Sequence, residues 1–204
     1  MGMCGFPWWN SDIGGFWGGD IESDYFRELI VRWFQFGVFC PVTRLHGSRH
    51  RTAGQKERNP GVKERSGGDN EIWSFGERAY PILKNLIELR ERLRPYIHRY
   101  MEIAGETGAP LMRPMFFEYP GDETCYTLGD QYMFGEDILF APIVNQGQTE
   151  RKVYLPTGTW TDVNEKKEYE GERFVTMHAE LEQFIAFVKK GSHCLELFQE
   201  FTFA

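Results

Sequence analysis

Residues 5–16 read Gly-Phe-Pro-Trp-Trp-Asn-Ser-Asp-Ile-Gly-Gly-Phe, and the interpretation of the N-terminal half starts from this stretch. Within it, residues 5–13 are short, aromatic and bounded by glycines, which is typical of a buried strand that ends in a loop. Asp12 precedes a pair of glycines, and glycines permit a tight turn and the close approach of a ligand. Taken alone, an Asp in front of two glycines is more often a turn former than a functional carboxylate.

Three further segments extend this pattern towards the middle of the chain. Residues 20–39 carry apolar side chains at helical spacing, and the short apolar run 40–45 is expected to form a second strand. Residues 79–104 predict a longer helix that Pro95 should kink and that two glycines should end. The order strand, helix, strand, helix is typical of parallel α/β units.

A second polar position follows the second predicted strand. His46 stands there, with Gly47 directly after it. Taken alone, such a residue is more often a structural histidine than a ligand-binding one. Because the loops that follow parallel strands meet on one face, we expect Asp12 and His46 to lie at the same end of neighbouring strands.

The second half of the sequence changes character near residue 108. Short strand-like runs follow one another, separated by turn signals, and this spacing suggests an antiparallel sandwich packed on the apolar stripe of the long helix. The predicted runs are residues 110–119, 131–134, 138–144, 151–155, 159–163, 173–177 and 184–188.

Composition excludes some classes of partner. The net charge is −7, and the most basic stretch, residues 49–65, also carries acidic residues, so we interpret it as a solvated loop and expect no nucleic acid. No apolar run reaches the ~18 residues of a membrane span. Aromatic residues make up 16 %, a share that suits either a large core or a sugar-binding surface.

The four cysteines are predicted to be reduced core thiols. They form neither a CxxC pair nor a His/Cys metal pattern, so the sequence predicts no metal and no cofactor. The N-terminus lacks a basic region followed by an apolar stretch, so no signal peptide is predicted. Together these features favour a cytoplasmic protein.

Several motifs in a fixed order give the chain a resemblance to glycoside hydrolase family 31, above all to its α-xylosidases and related bacterial α-glucosidases. The resemblance covers about residues 5–192. Its motifs are Trp9-x-x-Asp12-Ile13-Gly14-Gly15-Phe16, Arg44-Leu45-His46-Gly47, Leu93-Arg94-Pro95-Tyr96, Pro110-Leu111-Met112-Arg113-Pro114, Asp130-Gln131-Tyr132-Met133-Phe134-Gly135, Ala141-Pro142 and Tyr154-Leu155-Pro156-x-Gly158-x-Trp160.

The resemblance implies a fold class of α/β plus all-β. Residues 1–108 would supply the last two β/α units of a (β/α)8 TIM barrel, and residues 109–192 would form the antiparallel β-sandwich domain that follows it. Residues 193–204 form an unassigned tail, because the family pattern is no longer recognised after Ser192; a frameshift or a chimeric tail would explain this.

The resemblance also implies a retaining α-glycoside hydrolase that acts on terminal α-linked sugars of the α-xyloside or α-glucoside type. Such enzymes use two carboxyl groups. The family's nucleophile segment and its Trp-x-Gly-Asp acid/base motif are not found here. Trp17-Gly18-Gly19-Asp20 is only superficially similar to the second motif, and we interpret Asp20 as a helix-cap residue. The chain is therefore predicted to be a fragment that is inactive by itself.

The residues expected to bind substrate come from the first two motifs. Asp12 resembles an acidic residue at the floor of the −1 subsite, His46 resembles a residue that hydrogen-bonds sugar hydroxyls, and Phe16 resembles an aromatic near the sugar. Trp9 and Arg44 belong to the same two motifs and complete the predicted set.

Two other interpretations stay open. One is a freestanding carbohydrate-binding or pseudoenzyme module that uses the same residues without hydrolysis, and the other is a structural β-domain with an α/β adaptor. The abrupt start at Met1, which enters a structured-looking segment at once, favours the fragment.

Overall fold

The computed structural model describes residues 1–58, 60–61 and 67–199. The helices are α1 (Asp24–Val38), α2 (Ala53–Arg58), α3 (Ala79–Thr107) and α4 (Met115–Glu118), with 3-10 turns at Gly2–Cys4, Ile72–Phe75, Glu123–Tyr126 and His193–Phe198. The strands are β1 (Met112–Pro114), β2 (Tyr132–Phe134), β3 (Ile138–Phe140), β4 (Glu150–Leu155), β5 (Thr159–Asp162), β6 (Glu168–Glu170), β7 (Arg173–His178) and β8 (Ala186–Lys189). We call residues 1–108 the α/β region and residues 109–192 the β region.

The β region consists of two antiparallel sheets. The larger sheet has the order β1-β2-β3-β8-β5-β6, and β4 pairs with β7 to form the smaller one. The predicted antiparallel arrangement of this region is therefore confirmed. Its central strands are buried on both faces, because successive side chains point alternately to a helix layer and to the second sheet.

The alternation divides the apolar core into two clusters. Phe134, Ile138 and Val188 pack in one cluster with α1 and α3, whereas Met133, Leu139 and Phe187 pack in the other with β4, β5 and β7. The molecule thus has three layers, with the larger sheet in the middle. Trp160 is fully buried in the cluster that contains Met133, Leu139 and Phe187, and its indole Nε1–H donates to the Pro156 carbonyl at 2.9 Å.

The apolar stripe of α3 lies in the same cluster as Phe134, Ile138 and Val188 of the β region, as predicted. Two tyrosines of α3 add hydrogen bonds to this packing. The Tyr96 hydroxyl donates to the Phe134 carbonyl at 2.8 Å, and the Tyr100 hydroxyl accepts from the Glu136 amide at 3.2 Å. Gly108 ends the helix in the left-handed conformation. Within the described part of the chain, no helix combines the length and apolar character needed to cross a bilayer.

The prediction of two extended strands in the α/β region is wrong. Residues 5–13 and 40–45 meet through one parallel bridge, Ile13 with Leu45. Two backbone hydrogen bonds join the segments: Ile13 N–H donates to Arg44 O at 3.0 Å, and Val42 N–H donates to Trp9 O at 3.3 Å. A parallel ladder needs evenly spaced donors, and each segment contains a proline, which has no N–H.

Helix α1 begins later than predicted, and its cap is a different residue. Ser23 is the N-cap, and its hydroxyl accepts from the Phe26 amide at 3.5 Å. Asp20 is therefore not the helix cap. Its carboxylate accepts from the Glu22 amide at 3.0 Å and closes a short turn before the helix.

The basic stretch 49–65 is only partly the solvated loop that we predicted. Arg49 is 0 % exposed and Arg51 is 5 % exposed. Arg49 forms a bridge with Gly68 of the returning chain, so the start of the loop is enclosed. Residues 59 and 62–65 of this stretch, and residue 66 after it, lie outside the described residues.

The second half also differs from the prediction in several details. The run 110–119 is a strand only at Met112–Pro114 and then turns into α4, and the strand Glu168–Glu170 was not predicted because its side chains are mainly charged. The tail begins with a 3-10 turn in which Cys194 and Phe198 are buried. Residues 200–204 lie outside the described residues.

All four cysteines are free thiols. Cys40, Cys125 and Cys194 are buried, as predicted for core thiols, whereas Cys4 is exposed. Burial raises the pKa of Cys40 to about 12 and that of Cys125 to about 12.

Candidate functional site

The bridge between Ile13 and Leu45 aligns the two loops that carry the predicted site residues. The parallel pairing continues beyond it, because Trp17 bridges Ser48. Ser48 N–H donates to Phe16 O, and His50 N–H donates to Gly19 O, both at 3.0 Å. Loop 14–19 and loop 46–50 are therefore bound to each other along their length.

Asp12 and Arg44 form the first pair of the site, just before the bridge. Arg44 donates to Asp12 Oδ1 from Nε at 2.9 Å and from Nη2 at 2.6 Å. The Asp12 side chain is 20 % exposed and that of Arg44 is 52 % exposed. The guanidinium is therefore the more accessible group of this pair. Asn10 adds a longer hydrogen bond to the same carboxylate oxygen at 3.4 Å.

Phe16 and His46 form the second pair, just after the bridge. Their ring centroids are 5.3 Å apart, and Trp17 continues the aromatic surface at 5.7 Å from Phe16. Phe16 is 52 % exposed and Trp17 is 74 % exposed, so both rings are open to a ligand. Trp17 was not among the predicted site residues, although its place beside Phe16 in an exposed glycine loop was a usable signal.

Trp9 lies apart from both pairs. Its ring packs on Phe36 of α1 at 6.4 Å between centroids, and its carbonyl accepts the Val42 amide. The structure therefore brings four of the five predicted residues together as two pairs, and it places Trp9 against the helix layer.

Arg49 is a buried residue beside the site that the sequence analysis did not single out. Its guanidinium lies behind the loop that carries Phe16 and donates to carbonyl groups of that loop, at 2.6 Å to Gly14 and Gly15 and 2.8 Å to Gly18. Burial lowers the pKa of this guanidinium. The available signal was the density of glycines in residues 14–19, because the carbonyls of an enclosed glycine loop need donors.

This arrangement suits a neutral ligand with many hydroxyl groups. The guanidinium and imidazole offer hydrogen bonds, the carboxylate accepts them, and the exposed rings offer an apolar surface. A group of three or more His, Cys, Asp or Glu side chains placed to hold a metal ion is not found among residues 1–58, 60–61 and 67–199.

Two apolar clefts flank the α/β region on opposite sides. The first lies between α1 and the β region, has a volume of about 680 Å³, and is lined by Tyr25, Leu29 and Trp33 among others. The second, also about 680 Å³, lies between residues 41–45 and α3. Phe16 and His46 line neither cleft, so the clefts are separate from the site.

Comparisons with known families first define the class of protein. Residues 1–100 match the model described as the glycosyl hydrolases family 31 TIM-barrel domain, and residues 108–193 match the one described as the glycosyl hydrolase family 31 C-terminal domain. The fold is thus the end of a glycoside hydrolase barrel together with the β-sandwich domain that follows it, as predicted. The chain belongs to glycoside hydrolase family 31.

Individual relatives agree with this assignment. The chain is 35 % identical over 195 residues to "Alpha-glucosidase 2" of Bacillus thermoamyloliquefaciens, and 31 % identical over 191 residues to "Alpha-xylosidase" of Saccharolobus solfataricus. A crystal structure of a GH31 α-xylosidase from a soil metagenome, complexed with xylose, superposes with a TM-score of 0.88 at 47 % identity and covers 98 % of this chain.

The chain spans only a part of these relatives. It covers 22 % of the α-glucosidase, 24 % of the Saccharolobus α-xylosidase and 30 % of the soil α-xylosidase.

Proposed function

We propose that this chain supplies part of the substrate site of a retaining α-glycoside hydrolase that acts on terminal α-xylosides or α-glucosides. The observation that carries the proposal is the parallel bridge between Ile13 and Leu45, which aligns the Asp12–Arg44 pair with the Phe16–His46 pair. In a barrel of parallel strands, loops that follow neighbouring strands form the active face.

The proposed roles follow from the exposed chemistry of each residue. Phe16 offers a face for the apolar side of a sugar ring, and His46 hydrogen-bonds sugar hydroxyls beside it. Asp12 and Arg44 together accept from and donate to further hydroxyls. Trp9 takes part through its packing on Phe36, which sets the position of the segment that leads to Asp12.

Hydrolysis requires groups that we propose lie outside this chain. A retaining enzyme needs two carboxyl groups about 5–5.5 Å apart that flank the glycosidic bond. Asp12 binds Arg44 through Oδ1, which suits substrate binding better than attack on the sugar. The apolar clefts on both sides of the α/β region support docking against further β/α units of a barrel.

The proposal is tested in two settings. The 204-residue chain should release no aryl group from an aryl α-xyloside or α-glucoside. A chimera in which this chain replaces the matching part of the soil α-xylosidase should turn over aryl α-xyloside. In this chimera, His46→Ala removes one hydrogen bond to the substrate and should lower kcat/KM by roughly tenfold to a hundredfold.

The controls separate the alternatives. Trp73→Ala, at an exposed position outside the site, should leave the chimera's kcat/KM unchanged. Turnover by the isolated chain that is lost on Asp12→Asn would overturn the proposed division of roles. An inactive chimera whose chain still binds xylose would instead favour the carbohydrate-binding module.

We further propose a cytoplasmic setting without nucleic acid or membrane as a partner. Four free thiols, three of them buried, support a reducing compartment, and the net charge of −7 disfavours binding to phosphate backbones.

A further inference from the structure

Arg49 is unusual among the charged residues because all of its donors are used inside the protein. A guanidinium has five N–H donors in a fixed fork. Nε donates to the Asn70 amide oxygen at 2.7 Å, Nη1 to the carbonyls of Gly14 and Gly18, and Nη2 to those of Gly15 and His46. Each donor therefore has its own acceptor.

Arg49 is fully buried, and its acceptors are neutral. In the described part of the chain, every acceptor that it contacts is a carbonyl or an amide oxygen, and its guanidinium lies 5.5 Å from the Phe26 ring centroid. A buried cation is costly unless its surroundings are arranged to satisfy it.

The geometry that Arg49 fixes is that of two loops. Three of its acceptors belong to loop 14–19, which carries Phe16, and a fourth is the carbonyl of His46, at 3.2 Å. Asn70 extends the network, since its side-chain amide donates to Gly47 O at 3.1 Å. At Gly47 a Cβ would lie 2.4 Å from Phe16 O, so the loops touch backbone to backbone.

We propose that Arg49 is a positioning residue for the sugar site. It sets the distance between Phe16 and His46 by holding the backbone on both sides of them, and it does not itself touch the sugar. This inference rests on the proposed function for its ligand, because Phe16 and His46 are the proposed sugar contacts. Lysine cannot replace Arg49, since a single ammonium cannot reach acceptors spread over a planar fork.

The test uses the 204-residue chain with xylose as the probe. We expect Arg49→Lys to weaken xylose binding by about tenfold or more in an NMR titration, because several carbonyls lose their donor and the loops separate. The amides of Gly18, Ser48 and His50, which form the loop-to-loop hydrogen bonds, should exchange faster with solvent. Millimolar guanidinium ion should restore both properties to Arg49→Ala.

Arg32→Lys is the matched control. Arg32 is also buried and also donates to backbone carbonyls, but these belong to residues 148 and 179–183 of the β region. Its replacement should lower stability and leave xylose binding unchanged. Weaker binding in Arg32→Lys of the same size as in Arg49→Lys would mean that general stability is the cause, and the proposal would fail.

The outcomes also separate this inference from the proposed function. If the unmodified chain does not bind xylose, but Arg49→Lys still speeds solvent exchange of the Gly18, Ser48 and His50 amides, the positioning role stands and the proposed sugar ligand is wrong. If Arg49→Lys unfolds cooperatively, binds xylose like the unmodified chain and keeps those amides protected, Arg49 positions nothing. Failure of guanidinium to restore Arg49→Ala, with Arg49→Lys fully functional, would also overturn the inference.

Discussion

The β region and the α/β region are organised by different kinds of contact. In the β region all eight strands are paired in antiparallel sheets, and one apolar cluster is enclosed between them. In the α/β region the two segments that precede α1 and α3 are joined by two isolated parallel bridges, Ile13 with Leu45 and Trp17 with Ser48, and an apolar cleft opens on each side. The antiparallel strands find their partners within this chain, whereas parallel sheets occur almost only with helices covering both faces.

The difference explains where the candidate site can be built. The site residues lie in the α/β region, whose backbone ladder is short, so their positions depend on side-chain hydrogen bonds such as those of Arg49. The β region stabilises the α/β region through the packing of α1 and α3 on the larger sheet. We therefore expect the two regions to respond differently to substitution.

Removing the central indole of the β region should give the largest effect. Trp160→Ala deletes a fully buried side chain and should lower the free energy of unfolding by roughly 3–5 kcal/mol. Trp33→Ala is the matched change in the α/β region, where the ring is half-buried beside the first cleft, and roughly 1–2 kcal/mol is expected. Urea unfolding followed by far-UV circular dichroism measures both. Equal losses of unfolding free energy in the two variants would mean that the α/β region is packed as tightly around Trp33 as the β region is around Trp160.

Breaking the link between the regions should give an intermediate effect. Arg32→Met removes a guanidinium of α1 that donates to the carbonyls of Gln148, Ala179, Glu180 and Gln183. Loss of hydrogen bonds from a charged donor should cost roughly 1.5–3 kcal/mol. Because the link joins the two regions, calorimetry should show a broader transition or two transitions.

A surface arginine of the same region provides the control for this change. Arg94 is mostly exposed and pairs only weakly, with Glu91 at 3.4 Å, so Arg94→Met should leave the transition unchanged. A sharp single transition in Arg32→Met, at the temperature of the unmodified chain, would contradict the proposed coupling.

The smallest effect should come from a buried carboxyl group in the β region. Burial raises the pKa of Asp162, although its carboxylate accepts from the Glu165 amide at 2.7 Å. The folded protein therefore holds a proton that the unfolded chain releases, and stability falls as pH rises from the ordinary value of 3.8 through the raised one. Asp162→Asn should lose this decline with pH, which urea midpoints between pH 3 and pH 7 would detect.

Asp122 provides a control of opposite sign. Burial acts to raise its pKa, but hydrogen bonds from the Tyr154 hydroxyl and the Thr124 amide outweigh burial, and the pKa is lowered. Its contribution to stability is present above pH 3.8 and is lost as pH falls through the lowered pKa. If Asp162→Asn and Asp122→Asn change the pH profile in the same direction, the interior of the β region is not dry enough to perturb Asp162.

The sequence by itself determined the class of each region. Short strand-like runs separated by regular turn signals identified the antiparallel strands, and helical spacing identified α1 and α3, because both signals depend on local geometry. The ordered motifs around Asp12 and His46 identified the family that the comparisons confirm. Their positions after two neighbouring segments were enough to propose a shared site.

Only the tertiary structure decided how that site is held together. Local sequence describes Arg49 as one charge in a basic loop, whereas its burial depends on Gly14, Gly15 and Gly18, which lie more than 30 positions earlier. The pairing of Asp12 with Arg44 and the packing of Trp9 on Phe36 likewise join residues that are distant in sequence. The physical reason is that hydrogen-bond acceptors and packing partners are set by the fold, whereas periodicity records only the next turn or the next strand residue.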